Sequence, residues 1–453
     1  MVEKPVKLGE TYEITITGLS HQGEGIGRAN NFALFVPGAI PGEKVVVEVC
    51  EIKKNLAQGR LKKVVEAVPF RVDAPCAYFE QCGGCQLQHI SYEKQLEFKR
   101  LQVKDVLTKI GGIDIDVEPT LGMNYPWRYR NKGHFHLDKV DGEVSVGFYE
   151  PGTYDFVPAK GSLLFSSVVN RLLSYLEEQL TFNEVSIYNR NTGKGYLRNI
   201  MIRESFITGE IMLILVTNTD DWLLNEVAQS VLAVFPQIKS LYQNINKSNK
   251  PVILGNKFKL INGQAFLQDK IGPYIFKISP QSFFQVNNAQ AQILYEKALE
   301  YAQLSGKENV VDAYCGIGSI AIYLASKARH VIGIEVVEEA IKDAIENAKL
   351  NGIGNTEFIV GKAETWLPQW VKGGGKADVI VVDPPRKGCT PEVLEAIAEA
   401  RPERVVYVSC NPATLARDLK HLVGNGYEVR AVQPVDLFPQ TSHVETVVLM
   451  SRL

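Results

Sequence analysis

The chain has no run of about 18 consecutive apolar residues, so nothing in it reads as a helix that crosses a bilayer. Its amino end, MVEKPVKLGE, is charged and lacks the apolar core of a secretory leader, which makes the cytoplasm the expected location. A large charge of either sign is also missing: 49 Lys and Arg stand against 51 Asp and Glu, for a formal net charge of −2. No global field draws such a chain to a polyanion, and any nucleic-acid partner must be held by local patches. The seven cysteines do not make a disulfide framework. Their number is odd and three crowd into CAYFEQCGGC, which suits a reducing compartment with metal-binding or catalytic thiols.

What is present is enough for two or three domains: 453 residues, 45% of them hydrophobic. Residues 8–66 hold short runs rich in Val, Ile and Phe (YEITITGL, FALFVPGAIPGEKVVVEVCEI, GRLKKVVEAV) broken by glycine turns, the pattern of a small β-barrel. GLSHQGEGIGR followed by FVPGAIPGEKV resembles the TRAM domain, an OB-like RNA-binding barrel. KKNLAQGRLKK, residues 53–63, carries five basic side chains and no acid, which reads either as a local RNA patch or as a solvated face. Residues 91–112 predict a helix, with Ser91 as N-cap, Leu96, Leu101, Val103, Leu107 and Ile110 on the apolar stripe, and Gly111-Gly112 as the stop. Strand-like and helical runs mix from 125 to 275, which predicts an α+β middle domain on a mainly antiparallel sheet. No repeat or low-complexity tract interrupts it.

From about residue 282 strands and helices alternate, as in a doubly wound sheet, where ligands bind beyond the carboxyl ends of the strands. Four of those ends are unusual. DAYCGIGSIA supplies Gly316 and Gly318 for a tight turn against a nucleotide-like ligand, and Glu335 follows about 20 residues on, where an acid holds ribose hydroxyls. That pair alone fits a dinucleotide enzyme equally well. VVDPPRKG then presents Asp383 on a loop stiffened by two prolines. VVYVSCNPATLARDL delivers Cys410 just past an apolar run, at the mouth of a cleft rather than within a core. A nicotinamide dehydrogenase leaves DPPR and SCNP without a role.

Together DAYCGIGS, VVDPPRKG, YVSCNPATLARDL and FPQTSHVETVVLM resemble the RNA uracil-5-methyltransferase family. The TRAM-like start and the cysteine cluster resemble its 23S rRNA branch. The resemblance implies an α/β fold: a Rossmann-like S-adenosylmethionine-dependent methyltransferase domain (91–121 and 276–453), an amino-terminal OB-like barrel (1–70), and an α+β central domain carrying the cysteines (71–90 and 122–275). It implies Cys410 as nucleophile and Glu445, in SHVET, as general base. Gln285, Tyr314, Gly316, Glu335 and Asp383 fall where the family holds S-adenosylmethionine, Asp383 and Arg130 where it meets the target nucleotide. Arg128 is an acceptable substitute for Arg130. His443, Cys315 and Cys389 are expected to be structural. Phe283, Phe284 and Tyr125 are candidates to stack on bases, with a place in the core as the commoner fate of such residues.

Cys76, Cys82 and Cys85, spaced C-x5-C-x2-C, match the family's iron–sulfur segment, but a [4Fe–4S] cubane takes four thiolates. The downstream position of the fourth falls on Ser162. Three outcomes stay open: a labile cluster completed by serine or water, a zinc site completed by His89 or another group, and a lapsed site with reduced thiols. The expected partner is 23S rRNA, with no membrane and a monomeric protein. The rival readings are the same reaction on tRNA and a non-catalytic ribosome-assembly factor that binds RNA.

Overall fold

The computed structural model describes residues 4–453. Five strands, β1 (Thr11–Leu19), β2 (Gly25–Ala29), β3 (Phe32–Val36), β4 (Lys44–Ile52) and β5 (Leu56–Glu66), close into a barrel in the order β1-β2-β3-β5-β4. The pleat turns alternate side chains inward, so Ile14, Ile16, Leu34, Val36, Val45, Val47 and Val49 fill a small core. All five basic residues of 53–63 stay exposed. Two of them pair with acids on the barrel surface, Lys53 with Glu51 and Lys62 with Glu48, each at 3.2 Å.

Residues 76–90 then run as irregular chain into helix α1 (Tyr92–Val106), which ends in a π-helical turn, Leu107–Gly111, with Gly112 left-handed after it. Ser91 stands at the N-cap as expected, although its side chain makes no capping bond. The apolar stripe differs from the sequence reading. Leu101 and Ile110 are exposed, and the face turned inward is Gln95, Lys99, Val103 and Leu107. Spacing by four selects this face; hydrophobicity alone could not, because two of its members are polar.

The middle of the chain forms a seven-stranded sheet in the order β12-β11-β10-β9-β6-β7-β8. Its strands are β6 (Lys132–Val140), β7 (Glu143–Tyr149), β8 (Phe156–Pro158), β9 (Leu197–Glu204), β10 (Ile211–Thr217), β11 (Ile238–Ile245) and β12 (Lys257–Gly263). Pairing is antiparallel except between β10 and β11. Helices α2 (Ser167–Phe182) and α3 (Asn225–Val234) cover one face through Leu172, Leu173, Leu176, Val227 and Val231. A hairpin, β13 (Leu267–Ile271) and β14 (Tyr274–Ile278), carries the chain to the last unit.

That unit is a second seven-stranded sheet, in the order β17-β16-β15-β18-β19-β21-β20. It comprises α4 (Asn288–Ala302), β15 (Asn309–Asp312), α5 (Ser319–Ala325), β16 (His330–Glu335), α6 (Glu338–Leu350), β17 (Thr356–Val360), α7 (Ala363–Lys372), β18 (Val379–Val382), α8 (Pro391–Ala400), β19 (Arg404–Ser409), α9 (Pro412–Val423), β20 (Tyr427–Val435) and β21 (Glu445–Arg452). The central strands are buried runs such as VIVV and VVYVS, with helices on both faces. Only β21 runs against its neighbours. Its reversal matters for the site: the amino end of β21 lies at the same sheet edge as the carboxyl ends of β15, β16, β18 and β19.

Candidate active site

Cys410 follows β19 directly and precedes Asn411, whose side chain accepts from the Ala413 N–H at 3.1 Å and so caps α9. The same Asn411 donates its amide to the Arg386 carbonyl at 3.0 Å, and Thr414 donates to that carbonyl at 3.4 Å. Arg417 donates to the Lys387 and Cys389 carbonyls, at 2.9 and 3.1 Å. Asp418, fully buried, accepts from the Cys389 N–H at 2.8 Å and from the Tyr407 hydroxyl at 2.6 Å. The DPPRKG loop is therefore bonded along its length to the helix that begins beside Cys410. Gly388 completes the fit: its φ is +77°, and a Cβ there would lie 2.5 Å from the Asp418 carboxylate.

Glu445 arrives from the other direction. The antiparallel β19–β21 ladder ends at the Ser409–Thr446 pair, so Cys410 and Glu445 lie one residue beyond it on the two sides, near enough for the Glu445 charge to act on the Cys410 thiol. Glu445 is buried and Cys410 half-buried. Asp383, half-buried one residue past β18, is close enough to act on both electrostatically.

Loss of water dominates the titration of this cluster. Burial, reinforced by the charges of Glu445 and Asp383, pushes the Cys410 thiol up to about 12, with the Arg386 guanidinium opposing. Burial and then Asp383 raise Glu445 to about 8, again against Arg386. Burial alone raises Asp383 to about 7. Asp312, at the end of β15, is also raised to about 7, first by burial; one of its carboxylate oxygens has no hydrogen-bond partner. Four carboxylates, counting Glu335 at the end of β16, thus crowd one sheet edge, and Arg386 is the cation acting on Cys410 and Glu445.

An S-adenosylmethionine-like cation fits this edge. The orphaned oxygen of Asp312 and the excess of carboxylates favour a positively charged ligand. Gly316, in the turn after β15, has φ +54° and open space where a Cβ would be, so a ligand can approach the backbone. Glu335 is half-buried, with one oxygen accepting from the Val337 N–H at 2.9 Å. Gln285 is buried beside the Tyr295 hydroxyl, near Ser319 and Asp383. Tyr314 is half-buried, with its hydroxyl beside the Cys389 thiol.

Other sequence candidates land differently. Arg130 is half-buried, its Nε donating to the Lys132 carbonyl at 3.0 Å, while Arg128 is exposed with φ +52°. Phe284 is core at 2% exposure, but Phe283 and Tyr125 stand out at 63% and 59%. Cys315 and Cys389 are buried, as expected of packing residues. Sequence reading passed over Arg386 and Asp312. Arg386 lies inside DPPRKG, where a cation three residues after Asp383 on a proline-stiffened loop is the available signal; Asp312 reads as a strand end.

Of the three outcomes left open for the cysteine segment, the arrangement of its side chains bears on the two that need a metal. Among the described residues no group of three or more His, Cys, Asp or Glu side chains is arranged to hold a metal ion. Cys82 Sγ accepts from the Gly84 N–H at 3.3 Å, and burial raises the Cys85 thiol to about 12. Ser162, expected in the fourth place, spends its hydroxyl on the Leu164 N–H at 3.2 Å in a turn. His89, buried against Phe79, leaves both ring nitrogens unpartnered. Neither a [4Fe–4S] cluster nor a zinc ion fits these side chains as they stand, and no step below runs through one.

Comparison with known proteins agrees with this architecture. The family model described as tRNA (uracil-5-)-methyltransferase matches residues 91–453, and that of the TRAM domain matches residues 5–62. A Bacillus cereus protein named as an uncharacterized RNA methyltransferase is 46% identical over 99% of this chain and 98% of its own length. A Clostridium tetani protein of the same description is also 46% identical, over 99% of this chain and 97% of its own. Among solved structures, the Pyrococcus abyssi tRNA (uracil-54, C5)-methyltransferase in complex with S-adenosyl-L-homocysteine has a TM-score of 0.78 and 27% identity. It covers 97% of this chain and 100% of its own. The chain belongs to the tRNA (uracil-5-)-methyltransferase family, with a TRAM barrel at its amino end, and is an S-adenosylmethionine-dependent RNA methyltransferase.

Proposed function

We propose that the protein methylates carbon 5 of uridine in 23S rRNA through a temporary bond between Cys410 and the target base. The observation that carries this reading is the end of the β19–β21 ladder, just beyond which a half-buried thiol, Cys410, stands within electrostatic reach of the buried carboxylate of Glu445. A protein that only bound RNA would need neither group.

Carbon 5 of uracil is too poor a nucleophile to be methylated unaided. The Cys410 thiol gives its proton to water as its sulfur adds to carbon 6, and the electron pair of the 5,6 double bond moves into the ring as an enolate. Arg386 lies where a guanidinium would stabilise that negative charge. S-adenosylmethionine, when bound, supplies the electrophilic methyl group that carbon 5 takes up. The Glu445 carboxylate then accepts the carbon 5 proton, the 5,6 double bond returns, and the carbon–sulfur bond breaks to restore Cys410. Gln285, Tyr314, Gly316 and Glu335 would hold the cofactor, and Asp383 would serve cofactor and base edge together. The uridine must leave its stack to reach this edge, and the half-buried Arg130 and the exposed Phe283 would meet it there.

The amino-terminal barrel and the cysteine segment support 23S rRNA as the substrate, because together they resemble the rRNA branch of the family. A second reading, tRNA, is favoured by one observation: the Pyrococcus abyssi tRNA enzyme is matched over its full length, so a similar size and domain content also serve tRNA. Transfer of labelled methyl to purified, unmodified 23S rRNA and to bulk tRNA separates the two. Label in 5-methyluridine of 23S rRNA alone supports the proposal; label in tRNA alone replaces it with the second reading; no label in either refutes both.

A further inference from the structure

The loop Asp436–Val444 joins β20 to β21 and delivers Glu445. Side chains and backbone from residues 86–129 fasten it. Lys99 of α1 is 1% exposed; its ammonium donates to one oxygen of the fully buried Asp436 carboxylate at 2.5 Å and to the Phe438 carbonyl at 3.2 Å. The Tyr92 hydroxyl donates to the other Asp436 oxygen at 2.9 Å. Gln95 reads Gln440 twice, donating to its side-chain oxygen at 3.0 Å and accepting from its N–H at 3.3 Å. Tyr129 donates to the Pro439 carbonyl at 3.0 Å, and the Gln86 and Leu87 N–H groups both donate to the Gln440 carbonyl, each at 3.0 Å.

These partners explain the polar stripe on α1. An irregular loop next to a buried site has carbonyls that no strand satisfies, and each needs a donor. A buried ion pair contributes little net stability compared with an apolar pair of similar volume, so stability alone is a weak reason for Lys99 and Asp436. A proton acceptor, in contrast, must lie within about 3 Å of its target, and a shift of about 1 Å is felt in the rate.

We propose that Lys99, acting through Asp436, is a positioning residue that holds the loop so that Glu445 takes the carbon 5 proton; this rests on the role given to Glu445 above. The step it governs is the last. The C5–H bond breaks and its electrons re-form the 5,6 double bond, the C6–S bond breaks with its electron pair returning to Cys410 sulfur, and the proton passes to the Glu445 carboxylate. Earlier steps, which depend on Cys410 and the DPPRKG loop, do not pass through Lys99.

The test uses the full-length enzyme and two RNAs. RNA containing 5-fluorouridine stops after methyl transfer and reads the early steps; ordinary uridine RNA with labelled cofactor reads release. The double variant Lys99→Met/Asp436→Leu replaces the ion pair by apolar groups. It is expected to trap fluorinated RNA within about threefold of the wild-type rate, to release methylated ordinary RNA at least about tenfold more slowly, and to accumulate the covalent complex. Tyr92→Phe, which with little change of volume removes one bond to Asp436 and the acceptor of the Met123 N–H at 2.9 Å, should shift the same ratio in the same direction and covers the case in which the double variant does not fold. A parallel loss of both steps, or no change in their ratio, overturns the role of Lys99 alone. Glu445→Gln is the control: if it also fails to accumulate the complex, the role of Glu445 is wrong and the proposal goes with it.

Discussion

At the scale of single residues the site is governed by burial rather than by helpful charges. Cys410 lies before the first turn of α9 and near Arg386, both of which favour a thiolate, yet burial and two carboxylates hold the thiol up to about 12. In the proposed mechanism the resting Cys410 thiol would therefore be protonated and spared from side reactions, and would ionise as it attacks. Glu445 works the other way. Raised to about 8, it is mostly protonated at neutral pH and becomes a competent base as pH climbs. The release of methylated RNA from the covalent complex is accordingly expected to speed up as pH rises through about 8 and to level off above it, read by single-turnover quenching. A second pH effect belongs to Asp312 and Asp383, both raised to about 7. As they lose protons, S-adenosylmethionine, a sulfonium, should bind more tightly between about pH 6 and 8, whereas S-adenosylhomocysteine, without that charge, should change less. Titration calorimetry with both ligands reads the difference.

At the scale of elements, the central device is one reversed strand. Parallel strands alone bring their carboxyl ends to the site, and β21 adds the start of a strand to that edge. The other device is α9, whose first residues tie the loop of Asp383 to the neighbourhood of Cys410. Asn411→Ala removes both the cap and the bond to Arg386, so a loss of about 1–2 kcal/mol in urea unfolding is expected together with a lower turnover number. Much of this was legible in the sequence, because apolar runs ending in DPPRKG and SCNP mark strand exits directly. The inward face of α1 was not, since Gln95 and Lys99 hide from any hydrophobic period; their burial depends on a loop more than 300 residues downstream. For the cysteines, the spacing was visible but their arrangement was not. Whether three thiols converge depends on how residues 76–90 fold against Tyr149, Pro151 and Gln440, contacts that spacing does not encode.

At the scale of the whole molecule, three units surround one sheet edge, and the barrel reaches it through the cysteine segment: Gly23 packs against Gln86, Leu87 and Ser442. The net charge of −2 leaves RNA attraction to local surfaces, of which the exposed face with Lys53, Lys54, Arg60, Lys62 and Lys63 is the most basic stretch read from the sequence. Replacing all five by glutamine is expected to weaken RNA binding and to flatten its salt dependence by about 0.7 per lost phosphate contact, with turnover at saturating RNA unchanged. Filter binding across a salt series checks this. In the proposed reaction the Cys410 sulfur becomes bonded to a base, and the most direct measurement is the intact mass and digest of the enzyme after incubation with S-adenosylmethionine and RNA carrying 5-fluorouridine. The account predicts one RNA per protein, with the methylated base attached to the peptide that contains Cys410, and no complex in Cys410→Ala. Absence of any adduct, or one that persists in Cys410→Ala, would contradict it.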